Sequence, residues 1–168
     1  MKPGDLLGIR GVGWLSDHIV AASAPGPLSH VGICTADSPF LQVTEALSRV
    51  RTRPLTVSIA DAKAAWSLEW VNVTDTQRWE MVQTALGYTA DDYGYMDIVF
   101  QGADSLAGTR WFTQHFAERS LPICSMLDDI CATSAGIVLG ISAKSCTPND
   151  IWRFANRNPT ILKINQIK

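Results

Sequence analysis

Three residues in this chain have the types and settings that nucleophilic catalysis needs. His30 lies in SHVGI, Glu45 in VTEAL and Cys124 in LPICSMLDD. An imidazole held by a carboxylate is a general base with its orienter, and a thiol beside it is a candidate nucleophile. Cys124 falls in the first turn of an expected helix over 123–138, after Pro122. Free N–H groups and the helix dipole favour thiolate there, and those N–H groups suit an oxyanion. The plainer use of such a cysteine is core packing. Asp128, one turn on, counts mildly against the thiolate if its charge points the same way.

For the chemistry to work, a hairpin must carry the base and its orienter. Ser29–Thr35 reads as a strand with Val31 and Ile33 on one face and His30, Gly32 and Cys34 on the other. A four-residue turn at 36–39 leads into a strand over Phe40–Ala46. In that register paired residue numbers sum to 75 and His30 sits directly opposite Glu45, within hydrogen-bonding reach. A one-residue slip would part them onto opposite faces. Gly32, on the histidine's face, leaves room for a substrate.

Other candidates are weaker. Cys34 shares a face with His30 but lies about 13 Å along the strand. Cys131 suits packing, and Cys146 has no nearby base in sequence. His18 and His115 sit in ordinary helical surroundings. Ser16, Asp17 and His18 cannot form a triad, because adjacent helical residues point apart. The cysteine spacings match no zinc pattern, so neither metal nor other cofactor is expected.

The remaining elements follow from local signals. A strand is expected over 5–10 and a short helix over 14–23, with Trp14, Ile19 and Ala22 at helical spacing. Further strands are expected at 49–53, 68–73 and 160–166, and residues 55–65 suit a short helix. A helix should run from an N-cap at Thr74 or Asp75 through Leu86, closed by Gly87, with the apolar Trp79, Val82 and Leu86 on one face. Short helices are expected near 94–100 and 107–117. The 123–138 helix carries an apolar stripe of Ile123, Met126, Leu127, Ile130, Ser134 and Val138. A last helix should start at Pro148 with Thr147 as N-cap. Together these make one α+β domain over residues 1–168.

Composition narrows the function classes. With 168 residues, 46% hydrophobic and 18% charged, the chain can build a full core. A net charge of -2 gives no footprint for nucleic acid. No apolar run is long enough for a transmembrane segment. The N-terminus lacks the apolar core of a signal peptide, so a cytoplasmic location with reduced thiols is expected, with lysis as the other way out.

The order GDLLG, SHVGI, VTEAL, Gly87-Tyr88, Asp92-Tyr93, ICS and TPNDIW resembles the circularly permuted papain-like amidases of the NlpC type, roughly from Pro3 to Trp152. In that group the histidine strand precedes the cysteine helix, as here. The resemblance implies a permuted papain-like fold: a small antiparallel sheet or partial barrel against a helical portion carrying the nucleophile. It implies a cysteine hydrolase, of peptidase or amidase type, with Cys124 as nucleophile, His30 as base and Glu45 as orienter. Its substrate would be a peptide or cell-wall-type amide. Tyr88, Tyr93, Trp14 and Ser125, the residue after the nucleophile, are candidates for contacting it. The chain departs from the family at Ile123, where an aromatic residue is common, and at Met126, where a glutamate is. It also lacks the Asn-Cys-Glu-His run of the related lecithin-retinol-acyltransferase-like group, which weakens a lipid or thioester hydrolase or acyltransferase. An inactive binding protein on the same fold is the other alternative. Cys124 and His30 in hydrogen-bonding contact separate the enzyme from that reading.

Overall fold

The computed structural model describes residues 1–23, 25–47, 49–89, 124–141 and 146–168. The helices expected near 94–100 and 107–117 lie outside them, as do Tyr93, His115 and the start of the nucleophile helix. The fold is α+β. Strands β1 (Leu6–Arg10), β2 (His30–Ala36), β3 (Gln42–Ala46), β4 (Val50–Pro54), β5 (Ala64–Trp70) and β6 (Leu162–Gln166) form one antiparallel sheet. Their order is β4-β3-β2-β1-β5-β6. Five helices occur among the described residues: α1 (Trp14–Ala22), α2 (Leu55–Ser58), α3 (Asp75–Gly87), α4 (Cys124–Ser134) and α5 (Pro148–Arg157).

Strand alternation divides the core in two. Leu6, Leu28, Val31, Ile33 and Leu68 pack with Met81 of α3, Leu127 and Cys131 of α4 and Ile151 of α5. Leu7, Ile9, Val43 and Ala65 form a smaller cluster on the other side, against Leu55 and Ile59. Neighbouring residues of one strand thus serve opposite faces, as the two-residue period requires. Asp5 fastens the start of β1. Its Oδ1 accepts from Arg78 Nη1 on α3 at 2.7 Å and from the Trp70 N–H at the end of β5 at 3.2 Å.

Several expected faces and boundaries are corrected. The α3 N-cap is Thr74, whose hydroxyl accepts from the Gln77 N–H in a capping box, as the sequence suggests. Its buried face, however, is Met81, Val82 and Ala85, while Trp79 and Leu86 are exposed. Helix α4 stops well before Val138. The Gly136 N–H bonds to the Thr133 carbonyl and the Ile137 N–H to Ala132, with Gly136 at φ 74°. That is a Schellman ending, which needs the left-handed conformation glycine tolerates. Val138, beyond it, is exposed. Strand β5 starts four residues earlier than expected, its pairing with β1 running to Arg10↔Ala64. Asn72, at φ 62°, lies past its end, inside the stretch read as strand.

The β2–β3 register also differs. The connection spans 37–41, and a bulge precedes it between Cys34 and Ala36. Observed pairs are Ile33↔Thr44 and Cys34↔Val43, which sum to 77 rather than 75. Continuing this register sets Gly32 opposite Glu45 and leaves His30 diagonal to it. The offset is two, so His30 and Glu45 stay on one face, and long side chains bridge such a diagonal. Gly32 therefore makes room for Glu45, not for substrate. A Cβ at Gly32 would lie 3.0 Å from Glu45 Cβ and 3.0 Å from Val43 Cγ1. Gly32→Ala is expected to destabilise the fold by about 1–3 kcal/mol, the usual cost of overpacking. Urea unfolding at neutral pH checks this, and an unchanged midpoint would contradict the packing described.

Candidate active site

Glu45 is fully buried yet fully occupied. Its Oε2 meets His30 Nε2 at 2.7 Å, and its Oε1 accepts from the Ser58 hydroxyl at 2.7 Å and from Arg53 Nε. A carboxylate can leave water only with partners of this kind. Burial alone would raise its pKa. The bond and charge of His30, then Arg53 and Ser58, outweigh burial and hold it down at about 2. Glu45 is therefore ionised at any ordinary pH.

His30 opens β2 with its side chain 14% exposed. One side of its ring meets Glu45, and Cys124 lies close enough to act on its charge. Burial would lower its pKa. The charge and hydrogen bond of Cys124, followed by those of Glu45, push it up to about 10. Cys124 is the first described residue of α4 and is 7% exposed. Burial would raise its thiol. The charge and hydrogen bond of His30, then the N–H groups of Val31 and Ser125, bring it below its ordinary range. The two residues thus favour a thiolate–imidazolium pair, each ion stabilising the other.

Asp128 does not oppose this pair. It is fully buried, and neither carboxylate oxygen has a hydrogen-bond partner among the described residues. Burial, then the Cys124 charge, raises its pKa well above the ordinary carboxylate value, which favours its neutral form. The other thiols are held inert: burial raises Cys34, Cys131 and Cys146.

The structure brings Cys124, His30 and Glu45 together, and the substrate-contact candidates have varied settings. Ser125 is fully buried, and its hydroxyl donates to the Cys146 carbonyl at 2.5 Å. Only its backbone N–H reaches the sulfur, so its side chain is not available to substrate. Trp14 is 72% exposed at the start of α1 and stacks on His18; it is no part of a buried helical stripe. Tyr88 caps α3 and packs against the main core. Tyr93 lies outside the described residues. Arg53 and Ser58 were missed. The alternation Arg49, Arg51, Arg53 is the signal for the first, since a β3–β4 hairpin aims that face at Glu45. Ser58 had no signal, because its role depends on how α2 folds back.

No family model matches this chain, and no curated protein does. Among solved structures it is similar to the crystal structure of metalloprotein yiiX from Escherichia coli O157:H7 (DUF1105). The TM-score is 0.57 at 15% identity, over 99% of this chain and 96% of that chain. This likeness concerns the fold alone. Among the described residues, no group of three or more His, Cys, Asp or Glu side chains is placed to hold a metal ion. Likewise, none of the described helices is long and apolar enough to cross a membrane.

The Glu45 pKa carries a stability consequence. A carboxyl depressed in the folded state contributes stability that is complete above its unfolded value, near 4.5, and is lost as pH falls toward about 2. Glu45→Gln is expected to remove on the order of 3 kcal/mol at pH 7 and to flatten the acid limb between those values. Urea titrations at pH 7 and pH 3 check this. Equal acid limbs in the two proteins would rule it out.

Proposed function

We propose that the protein is a cysteine hydrolase that cleaves an amide bond, on a circularly permuted papain-like fold. The observation that carries this reading is the single imidazole, His30, hydrogen-bonded to a buried ionised carboxylate and close enough to Cys124 of α4 that each shifts the other's charge. A core cysteine has no need of such a partner. Chain order supports the permuted arrangement, since β2 with the base precedes α4 with the nucleophile.

In this reading the Cys124 thiolate attacks the substrate carbonyl and forms a C–S bond. The negative charge moves to the carbonyl oxygen, which the Cys124 backbone N–H stabilises at the start of α4. The His30 imidazolium then protonates the leaving nitrogen, the C–N bond breaks, and an acyl-thioester remains. Neutral His30 next takes a proton from water, whose oxygen attacks the acyl carbon. The C–S bond breaks, and the thiolate–imidazolium pair is restored. Glu45 keeps the ring oriented and stabilises its charge in both halves. Peptides and cell-wall-type amides are the substrate class that the resemblance suggests.

A lipid or thioester substrate would call for an apolar tunnel ending at the nucleophile. The apolar hollow lined by Pro39, Phe40, Leu41, Pro54 and Leu55 includes none of Cys124, His30 and Glu45. It therefore lends that alternative no support.

A thiol-reactive amidase probe tests the proposal. Cys124→Ala is expected to abolish labelling, and His30→Ala to slow it about 10³-fold or more, as losing one member of a catalytic unit does. Labelling unchanged in both variants would overturn the mechanism.

A further inference from the structure

The nucleophile and the base belong to elements far apart in sequence, and their pairing tolerates little error. A misplacement of about 1 Å in such a pair can cost 10²-fold in rate. The segment Cys146–Asn149, which takes no part in the proposed chemistry, touches the supports of both. On one side the Ser125 hydroxyl, next to the nucleophile, donates to the Cys146 carbonyl at 2.5 Å. On the other, Asn149 Oδ1 accepts the Leu28 N–H at 2.8 Å, two residues before His30. Asn149 Nδ2 also donates to the Ser23 hydroxyl at 2.6 Å. Both Ser125 and Asn149 are fully buried. Gly26 lies flat against the amide, where a Cβ would come within 2.4 Å of Asn149 Oδ1.

The segment itself is stiff. Thr147 and Asp150 close a capping box at the head of α5, with Thr147 Oγ1 on Asp150 Oδ2 at 2.7 Å and the Asp150 N–H returning to Thr147 Oγ1 at 3.3 Å. Pro148 sits between them with its φ restricted by its ring. A buried amide used only as filler would lose to an apolar side chain of the same size, because polar burial is costly unless every group is satisfied. Asn149 instead spends its acceptor and a donor on the loop that delivers His30.

We propose that Cys146–Asn149 is a brace that registers the nucleophile against the base, with Ser125 and Asn149 as positioning residues at its two ends. This rests on the reading of Cys124 and His30 as a working pair. The test is the pH dependence of Cys124 alkylation by iodoacetamide, followed by peptide mass spectrometry so that the four cysteines are read separately. Wild type should react at pH 6, and His30→Ala should lose that reactivity. Ser125→Ala and Asn149→Ala should each slow the pH 6 reaction about tenfold, the upper end of what one lost neutral hydrogen bond is worth. Both should shift the profile toward an ordinary thiol. The double variant should fall within about twofold of the slower single, because the two ends serve one linkage. Ser23→Ala, which keeps the Leu28 bond, should stay within about twofold of wild type.

Wild-type profiles in both single variants, with only a lowered melting temperature, would overturn the brace and leave the catalytic pair standing. Fully multiplicative losses in the double variant would overturn it too. A wild-type profile that His30→Ala leaves unchanged would overturn the pair, and the brace with it. If Asn149→Ala exposes Cys34, Cys131 and Cys146 to alkylation, it has unfolded, and Ser125→Ala decides alone.

Discussion

The structure around the candidate site depends on one buried anion. The Glu45 carboxylate has left water, and such a move costs several kcal/mol unless the charge is paired and hydrogen-bonded. Three side chains from three elements meet that requirement: His30 from β2, Arg53 from β4 and Ser58 from α2. The carboxylate therefore does more than orient a histidine. It pins the short α2 to the sheet, holds the edge strand β4, and fixes the ring that faces Cys124. Losing any one partner would leave charge with too few bonds.

Gly32 is the backbone condition for that arrangement. In the observed register it sits beside Glu45, and a side chain there would occupy the path of the carboxylate toward His30. Asp128 shows the same electrostatic rule in reverse. With both oxygens unpartnered among the described residues, burial pushes its pKa up, whereas the partners of Glu45 hold that carboxyl down. Two acidic residues within one site are thus shifted in opposite directions by their surroundings.

Much of the architecture could be read from local signals. The capping residues Thr74 and Thr147, Pro148 at the head of α5, and the alternation of β2 each depend on neighbours a few positions away. The differences in one helix face and one strand register have physical causes. On α3, Trp79 and Leu86 follow helical spacing as well as Met81 and Ala85 do, and only the position of the sheet chooses between the stripes. At β2–β3, a longer connection and a bulge shifted the register by two. The shift kept the parity, so the pairing of His30 with Glu45 was found for a reason that was partly wrong.

The sequence by itself determined which residue types could do chemistry, the order of base and nucleophile along the chain, and the helix start on which Cys124 sits. These are properties of short windows, where side-chain type and spacing act directly on the backbone. Tertiary structure decided what surrounds them. It placed Arg53 and Ser58 on Glu45, turned the Ser125 hydroxyl inward, sealed Asp128 away from water, and joined α5 to the loop before His30 through Asn149. Each of these contacts depends on packing between elements far apart in sequence. Burial and distance set the charge of every group in the site, and neither exists until the chain has folded.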